Sequence, residues 1–251
     1  MVLGKIRSFV NRLGTRLNPN DPIFPILTGD KKTKEYKFIG TGFFVNHFGG
    51  FITAKHVLFD NNGQHIKNFY AITSYKGNHY MRFLHGQAFA HPSADICYGI
   101  LCKDAVLNDE AVFIDHSTPA LHLLENEPNV GDTIQTFAYP KSNMETTNGE
   151  QLGNFVGEWF DGKILEILPY RDRVFFPSKV LSSDMPIYPG ASGGPVMKGA
   201  FVVGINSSGY DFGGSEPPLS YITPISFAYD IEIEFEGKKI KLKDKQKRTI
   251  L

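Results

Sequence analysis

The chain has 251 residues, enough to bury a sizeable core as one domain or as two packed halves. Its 26 Lys and Arg balance its 26 Asp and Glu, so whole-chain charge gives no support to polyanion binding. The 21 Phe, 11 Tyr, 25 Gly and 15 Pro suit short strands joined by tight turns. No apolar run approaches the ~18 residues needed to span a bilayer.

Residues 1–20 carry Lys5, Arg7, Arg12 and Arg16 and no acidic residue. Val2, Leu3, Ile6, Phe9, Val10, Leu13 and Leu17 recur at helical intervals, which predicts an amphipathic helix within residues 1–22. It lacks the unbroken apolar core of a secretory signal. A helix docked on the body, a membrane-surface or partner-docking helix, and an organellar presequence all fit that pattern. Asn18-Pro19-Asn20-Asp21-Pro22 ends it.

From Ile23 onward the punctuation changes to strand spacing. Short apolar or alternating runs are expected at Tyr36–Val45, Gly50–Ala54, Phe69–Ser74, Ile96–Leu101, Thr133–Tyr139, Gly162–Ile167, Val174–Val180, Pro195–Val196 and Phe201–Ile205. That regularity points to an all-β sandwich or barrel and away from βαβ units. Leu124–Asp132, with Pro128 and Gly131, is the expected connection between two halves, 23–123 and 124–229. Cys97 and Cys102 share one apolar run; on a strand they would lie roughly 17 Å apart on opposite faces. A bridge reaches only ~7 Å, so no intrachain disulfide and a reducing, cytoplasmic setting are expected. Residues 230–251 read as a hairpin and basic tail. With Gly237-Lys238 as the turn, Glu236 faces Lys239, Glu234 faces Lys241 and Glu232 faces Lys243, while Phe235 meets Ile240 and Ile233 meets Leu242.

Pro189-Gly190-Ala191-Ser192-Gly193-Gly194-Pro195 carries the most information. Glycines around a serine let the backbone turn sharply, expose the hydroxyl and leave N–H groups free to converge beside it. The stretch also satisfies the G-x-S-x-G elbow of α/β-hydrolases, where a histidine follows the serine. All eight histidines (47, 56, 65, 79, 85, 91, 116 and 122) precede Ser192, which removes that order and leaves His, Asp, Ser. His56 stands at the end of the apolar run Ile52–Ala54, beside the glycine-flanked Gly40-Thr41-Gly42-Phe43-Phe44-Val45. Asp60, Asp104 and Asp115 sit in polar contexts, whereas Asp95 opens a buried run. His91 reads as a loop residue, and Cys97 and Cys102 lack a glycine turn. No Cys/His spacing suits zinc, and no cofactor is expected.

The words GTGFFV, ITAKHV, Ala94-Asp95-Ile96 and GASGGP, in that order, resemble the trypsin-like serine peptidases. Within them the resemblance is to the disulfide-free bacterial and organellar high-temperature-requirement type. Val130-Gly131-Asp132-Thr133, Tyr139-Pro140, Ser183-Asp184 and Gly204-Ile205-Asn206-Ser207 add to it, and it spans about residues 36–225. The resemblance implies two six-stranded antiparallel β-barrels of the chymotrypsin kind, here with the N-terminal helix and C-terminal hairpin added. It implies Ser192 as nucleophile, His56 as base, Asp95 behind it, and an oxyanion hole of the Gly190 and Ser192 amides. Pro186, Tyr188, Asn206, Ser207 and Ser208 would bind substrate, the last three as a strand edge that pairs with its backbone.

Two departures from the family bear on regulation. Ala191 stands where secreted relatives carry the aspartate that receives a cut N-terminus, so that activation route is not expected. Pro186 replaces the residue at the base of the primary pocket, which predicts a small or aliphatic residue before the cleaved bond unless Asp184 or Asp211 reaches in. The expectation is a serine endopeptidase acting on protein or peptide substrates under an activating protein partner, without nucleic acid or a transmembrane segment. The alternative is a catalytically silent binding module on the same scaffold.

Overall fold

Turns marked by Gly, Asn and Asp cut the chain into short strands whose apolar faces can be buried only by curling sheets onto themselves. A computed structural model describes residues 9–10, 16–66, 68–124, 126–147, 150–170, 177–210, 218–235 and 237–244. Its strands up to the nucleophile loop are β1 Phe9–Val10, β2 Arg16–Leu17, β3 Ile23–Asp30, β4 Glu35–Phe44, β5 Gly50–Thr53, β6 Phe69–Tyr75, β7 Asn78–Leu84, β8 Phe89–Ala90, β9 Cys97–Leu107, β10 Glu110–Phe113, β11 His122–Leu123, β12 Thr133–Ala138, β13 Asn143–Thr147, β14 Glu150–Asn154, β15 Glu158–Leu168 and β16 Val180–Ser183. After it come β17 Pro195–Lys198, β18 Phe201–Tyr210, β19 Leu219–Pro224, β20 Glu232–Phe235 and β21 Lys238–Lys241. One helical turn, α1 Lys55–Leu58, follows β5, and a 3-10 segment, Ile225–Asp230, follows β19.

The pairing β9-β5-β4-β3-β6-β7 closes through β7 with β9, and β18-β17-β12-β15-β16-β19 closes through β18 with β19. The fold is therefore two closed six-stranded antiparallel barrels. Closure removes the open edges that invite aggregation. Phe24, Phe44, Phe51 and Phe69 fill the first barrel, with ring centroids 4.7, 5.8 and 5.6 Å apart in tilted, edge-on and stacked pairs. Ile134, Ile164, Leu181, Val196, Val203 and Ile222 fill the second. Tyr139, just past β12, joins the two: its hydroxyl donates to the Ile23 carbonyl at 2.9 Å.

Three expectations are corrected. Within the expected N-terminal helix, the described residues are strands: Phe9 pairs with Leu17 and Val10 with Arg16. Phe and Val favour strands over helices; the rest of residues 1–15 lies outside the description. The strand expected at Val174–Val180 instead begins at Val180, because Pro177 has no N–H to give a ladder; residues 171–176 are outside the description. The C-terminal hairpin forms, but two residues out of the expected register: Glu232 faces Lys241, Ile233 faces Ile240, Glu234 faces Lys239 and Phe235 faces Lys238. Gly237, at φ +71°, occupies the second turn position, not the first. An even shift leaves every side chain on its face, so Ile233 and Leu242 are still buried, against the first-barrel core. Lys243 reaches Asp230 at 3.4 Å in place of Glu232.

Candidate active site

β4 and β5 pair through Phe43 with Ile52 and Phe44 with Phe51, and the chain then enters α1. Val57 and Leu58 bury themselves in the core, which leaves His56 on the outward side of that turn. Asp95 meets it from the loop before β9. One carboxylate oxygen accepts the His56 backbone N–H at 3.0 Å, and the ring Nδ1 lies 2.9 and 3.1 Å from the two oxygens. An ionised carboxylate only accepts, so Nδ1 carries the hydrogen and Nε2 keeps its lone pair. Burial pulls the imidazole pKa down, but the Asp95 charge and its hydrogen bond outweigh that and hold it above the ordinary value. The side chain of Asp95 is 12% exposed and that of His56 49%, so the outer edge of the ring stays open to a reactant. His91 steadies the loop that carries Asp95: its Nδ1 accepts the amides of Ser93 at 3.2 Å and Ala94 at 2.9 Å.

Ser192 lies in a loop built on a type II turn. The Ala191 N–H donates to the Tyr188 carbonyl at 3.0 Å, Pro189 pre-sets the first central φ, and Gly190 takes the second at +93°. A side chain at Gly190 would also collide with Phe38, whose ring atom lies 2.4 Å from an ideal Cβ position. The loop packs on the first barrel. The Ser192 carbonyl accepts the Thr41 N–H at 2.8 Å, and a Cβ on Gly193 would stand 2.0 Å from Thr53 Oγ1. Ser192 is thereby seated beside β4 and the end of β5, next to the turn that bears His56. Among the described residues the Ser192 hydroxyl has no hydrogen-bond partner of its own within 3.5 Å, as is common where a reactive hydrogen bond tightens only around a substrate. The amides of Gly190 and Ser192 likewise make no hydrogen bond among the described residues.

The trypsin-like peptidase domain family matches residues 40–205. The chain belongs to that family. The chain is also similar in fold to a serine endoprotease of Yersinia pestis, at 16% identity and a TM-score of 0.55, covering 83% of this chain and 60% of that one. The Rv3671c protease of M. tuberculosis in its active form matches at 16% identity and a TM-score of 0.52, over 82% of this chain and 76% of the other. Its inactive Ser343Ala form gives 0.51, over 82% of each chain at 16% identity. The chain thus spans three-fifths of the length of the Yersinia protein. Comparison with curated proteins finds no match.

The expected substrate residues divide. Pro186 and Tyr188 are half-buried in the segment that leads into the loop, Tyr188 packing on Phe160 at 5.6 Å. Asn206 does not offer a strand edge, which corrects the expectation: its N–H donates to the Gly194 carbonyl at 2.9 Å and its carbonyl accepts the Gly193 N–H at 2.8 Å. Its side chain is fully buried. Ser207 spends its hydroxyl on Thr223 at 2.7 Å. The side of β18 that β17 leaves uncovered starts past Ile205, so Ser207, Ser208 and Gly209 are the backbone positions left for pairing. Asp184 accepts the Lys163 N–H at 2.6 Å and is committed there, while Asp211 lies outside the described residues. Ala191 is buried in the apolar core of the second barrel, where a carboxylate without a partner would be costly.

Sequence reasoning missed Thr41 and Thr136. Thr41 Oγ1 donates to the Gly190 carbonyl at 2.8 Å, and Thr136 Oγ1 donates to the Pro195 carbonyl at 2.7 Å. The one available signal was Thr41 lying between Gly40 and Gly42, where a glycine permits close approach: a Cβ at Gly40 would be 3.0 Å from the Ser192 carbonyl. Both cysteines are free; Cys97 is buried, and burial drives its thiol pKa well up, against nucleophile chemistry. Among the described residues no cluster could hold a metal, and no helix is long and apolar enough to cross a membrane.

Proposed function

We propose that the chain is a serine endopeptidase in which Ser192, His56 and Asp95 form the catalytic triad. The observation that carries this reading is the pair of hydrogen bonds that His56 donates to Asp95, from the ring and from the backbone, beside a serine in a glycine turn. Ser192 Oγ attacks the scissile carbonyl carbon while His56 Nε2 takes its proton. The Gly190 and Ser192 amides receive the oxyanion. His56, now an imidazolium facing Asp95, returns the proton to the leaving amine, and water then hydrolyses the acyl-enzyme by the same route.

Cleavage after small or aliphatic residues is proposed because Pro186 offers no charge to a bound side chain. The close approach of β18 to the segment before the serine fits this, a Cβ on Gly209 standing 2.3 Å from the Ile187 carbonyl oxygen. Two free thiols support a reducing, cytoplasmic setting. Regulation by a protein partner is proposed to act through the N-terminal segment on substrate delivery, because the nucleophile loop is already held. Unchanged turnover of a folded substrate by a chain lacking residues 1–15 would overturn that regulatory part. A fluorophosphonate probe tests the core reading: labelling of the parent and none of Ser192→Ala is expected. Equal labelling of both, or of neither, would point to the silent binding module instead.

A further inference from the structure

Three successive carbonyls of the nucleophile loop are held by groups outside it. Thr41 Oγ1 donates to Gly190 O at 2.8 Å, Asn206 Nδ2 donates to Ala191 O at 3.2 Å, and the Thr41 N–H donates to Ser192 O at 2.8 Å. A peptide unit is planar, with its N–H opposite its carbonyl. Ala191 O also accepts the Gly194 N–H at 3.0 Å within the loop, and Asn206 is its second donor. Holding Ala191 O holds the direction of the Ser192 N–H, on the far side of the same plane.

The Asn206 carboxamide can lie only one way round. Thr136 gives its proton to the Pro195 carbonyl, so its oxygen is left to accept, and Asn206 Nδ2 donates to it at 2.9 Å. Ala191 O accepts only. Turning the amide over would set Asn206 Oδ1 against that carbonyl. As it stands, Oδ1 is buried and without a partner. A buried acceptor left unpaired is a cost to the fold, and one retained at a functional site calls for a role.

Resting on the endopeptidase reading above, we propose that Asn206 is a positioning residue that, together with the Gly194 amide, holds the Ser192 amide aimed into the oxyanion hole. It does from inside the chain what a buried ion pair at position 191 could not do here, since Ala191 has no charge to pair. Asn206 touches neither substrate nor reacting atoms; it acts through the Ala191–Ser192 peptide.

Asn206→Leu keeps the volume, removes the donor and removes the orphaned oxygen. Its melting temperature should stay level or rise, while kcat on a peptide substrate falls on the order of 100-fold with KM little changed, the signature of lost transition-state binding. A crystal structure of the variant should show the Ala191–Ser192 peptide turned from its parental direction. Should Asn206→Leu not fold, Asn206→Ala serves for the same measurements. A variant with parental kcat and a superimposable loop overturns the proposal, as does a kcat loss matched by an equal loss of folded protein. If the parent shows no Ser192-dependent turnover, the endopeptidase reading fails, and the direction of the peptide in the variant alone decides the role of Asn206.

Discussion

The two barrels hold their halves of the site by different means. The first barrel fixes His56 through a side chain: Asp95 grips the ring and the backbone of the same residue. The second barrel fixes Ser192 through backbone: the loop has a turn, two positive-φ glycines and carbonyls held from both barrels. On one side chemistry resides in functional groups, and on the other in the direction of peptide planes. The first should be sensitive to changes of atom type, and the second to changes of shape.

Substitutions can press on that contrast. Asp95→Asn changes atom type at constant shape and should lower kcat by about 10,000-fold, measured on a chromogenic ester or peptide. Because Asp95 holds the His56 pKa up, the acid limb of the residual pH–rate profile should move to lower pH in the variant. An unmoved limb would break the assignment of His56 as the titrating base. Gly190→Ala changes shape without touching a reacting group. Strain at φ +93° and collision with Phe38 should cost on the order of 100- to 1000-fold in kcat, through a displaced oxyanion donor.

His91→Ala tests the support behind Asp95. It leaves the buried Ala94 amide unpaired and should cost about 1–3 kcal/mol in urea unfolding. Acidification should weaken the same region. Burial lowers the pKa values of His65, His91 and His116 in the folded chain. The unfolded chain then binds more protons, so their contribution is intact above about pH 6.5 and is lost as pH falls towards the folded values. His56, raised, opposes this: its contribution is present below about pH 6.5 and is lost as pH rises through its folded value. Since His91→Ala removes one of the three lowered groups, the change of the urea midpoint from pH 7.5 to pH 5.5 should be less unfavourable in that variant than in the parent. The smallest effect belongs to Gly237→Ala, expected at about 1 kcal/mol. Nothing lies within 4 Å of its absent Cβ, so only the φ of +71° is strained. Comparison with Gly190→Ala separates strain alone from strain with collision.

Much of the fold could be read because glycine and proline mark turns locally. β4, β5, β12 and β17 carry plain apolar runs and were legible. β7 was not: Asn78, His79 and Arg82 break its alternation, and only the closed barrel explains why Arg82 is buried, giving hydrogen bonds to the Leu101 and Cys102 carbonyls. The hairpin pattern fixed which side chains share a face but not the register, since two registers differing by two residues present the same charges. His56, Asp95 and Ser192 carry chemistry in their residue types. Thr41, Thr136 and Asn206 bond to positions that only folding brings together; the glycines around Thr41 hint at close approach but not at its partner, and the motif around Asn206 suggests a strand edge instead.

The residues that hold the nucleophile loop flank it far apart in the chain, Thr41 well before the serine and Asn206 after it. A ribosome must release both before the loop can take its shape. On the triad reading, the site is complete only once β18 has joined the second barrel. A chain cut before β18, even one that contains His56, Asp95 and Ser192, is therefore expected to show no Ser192-dependent labelling.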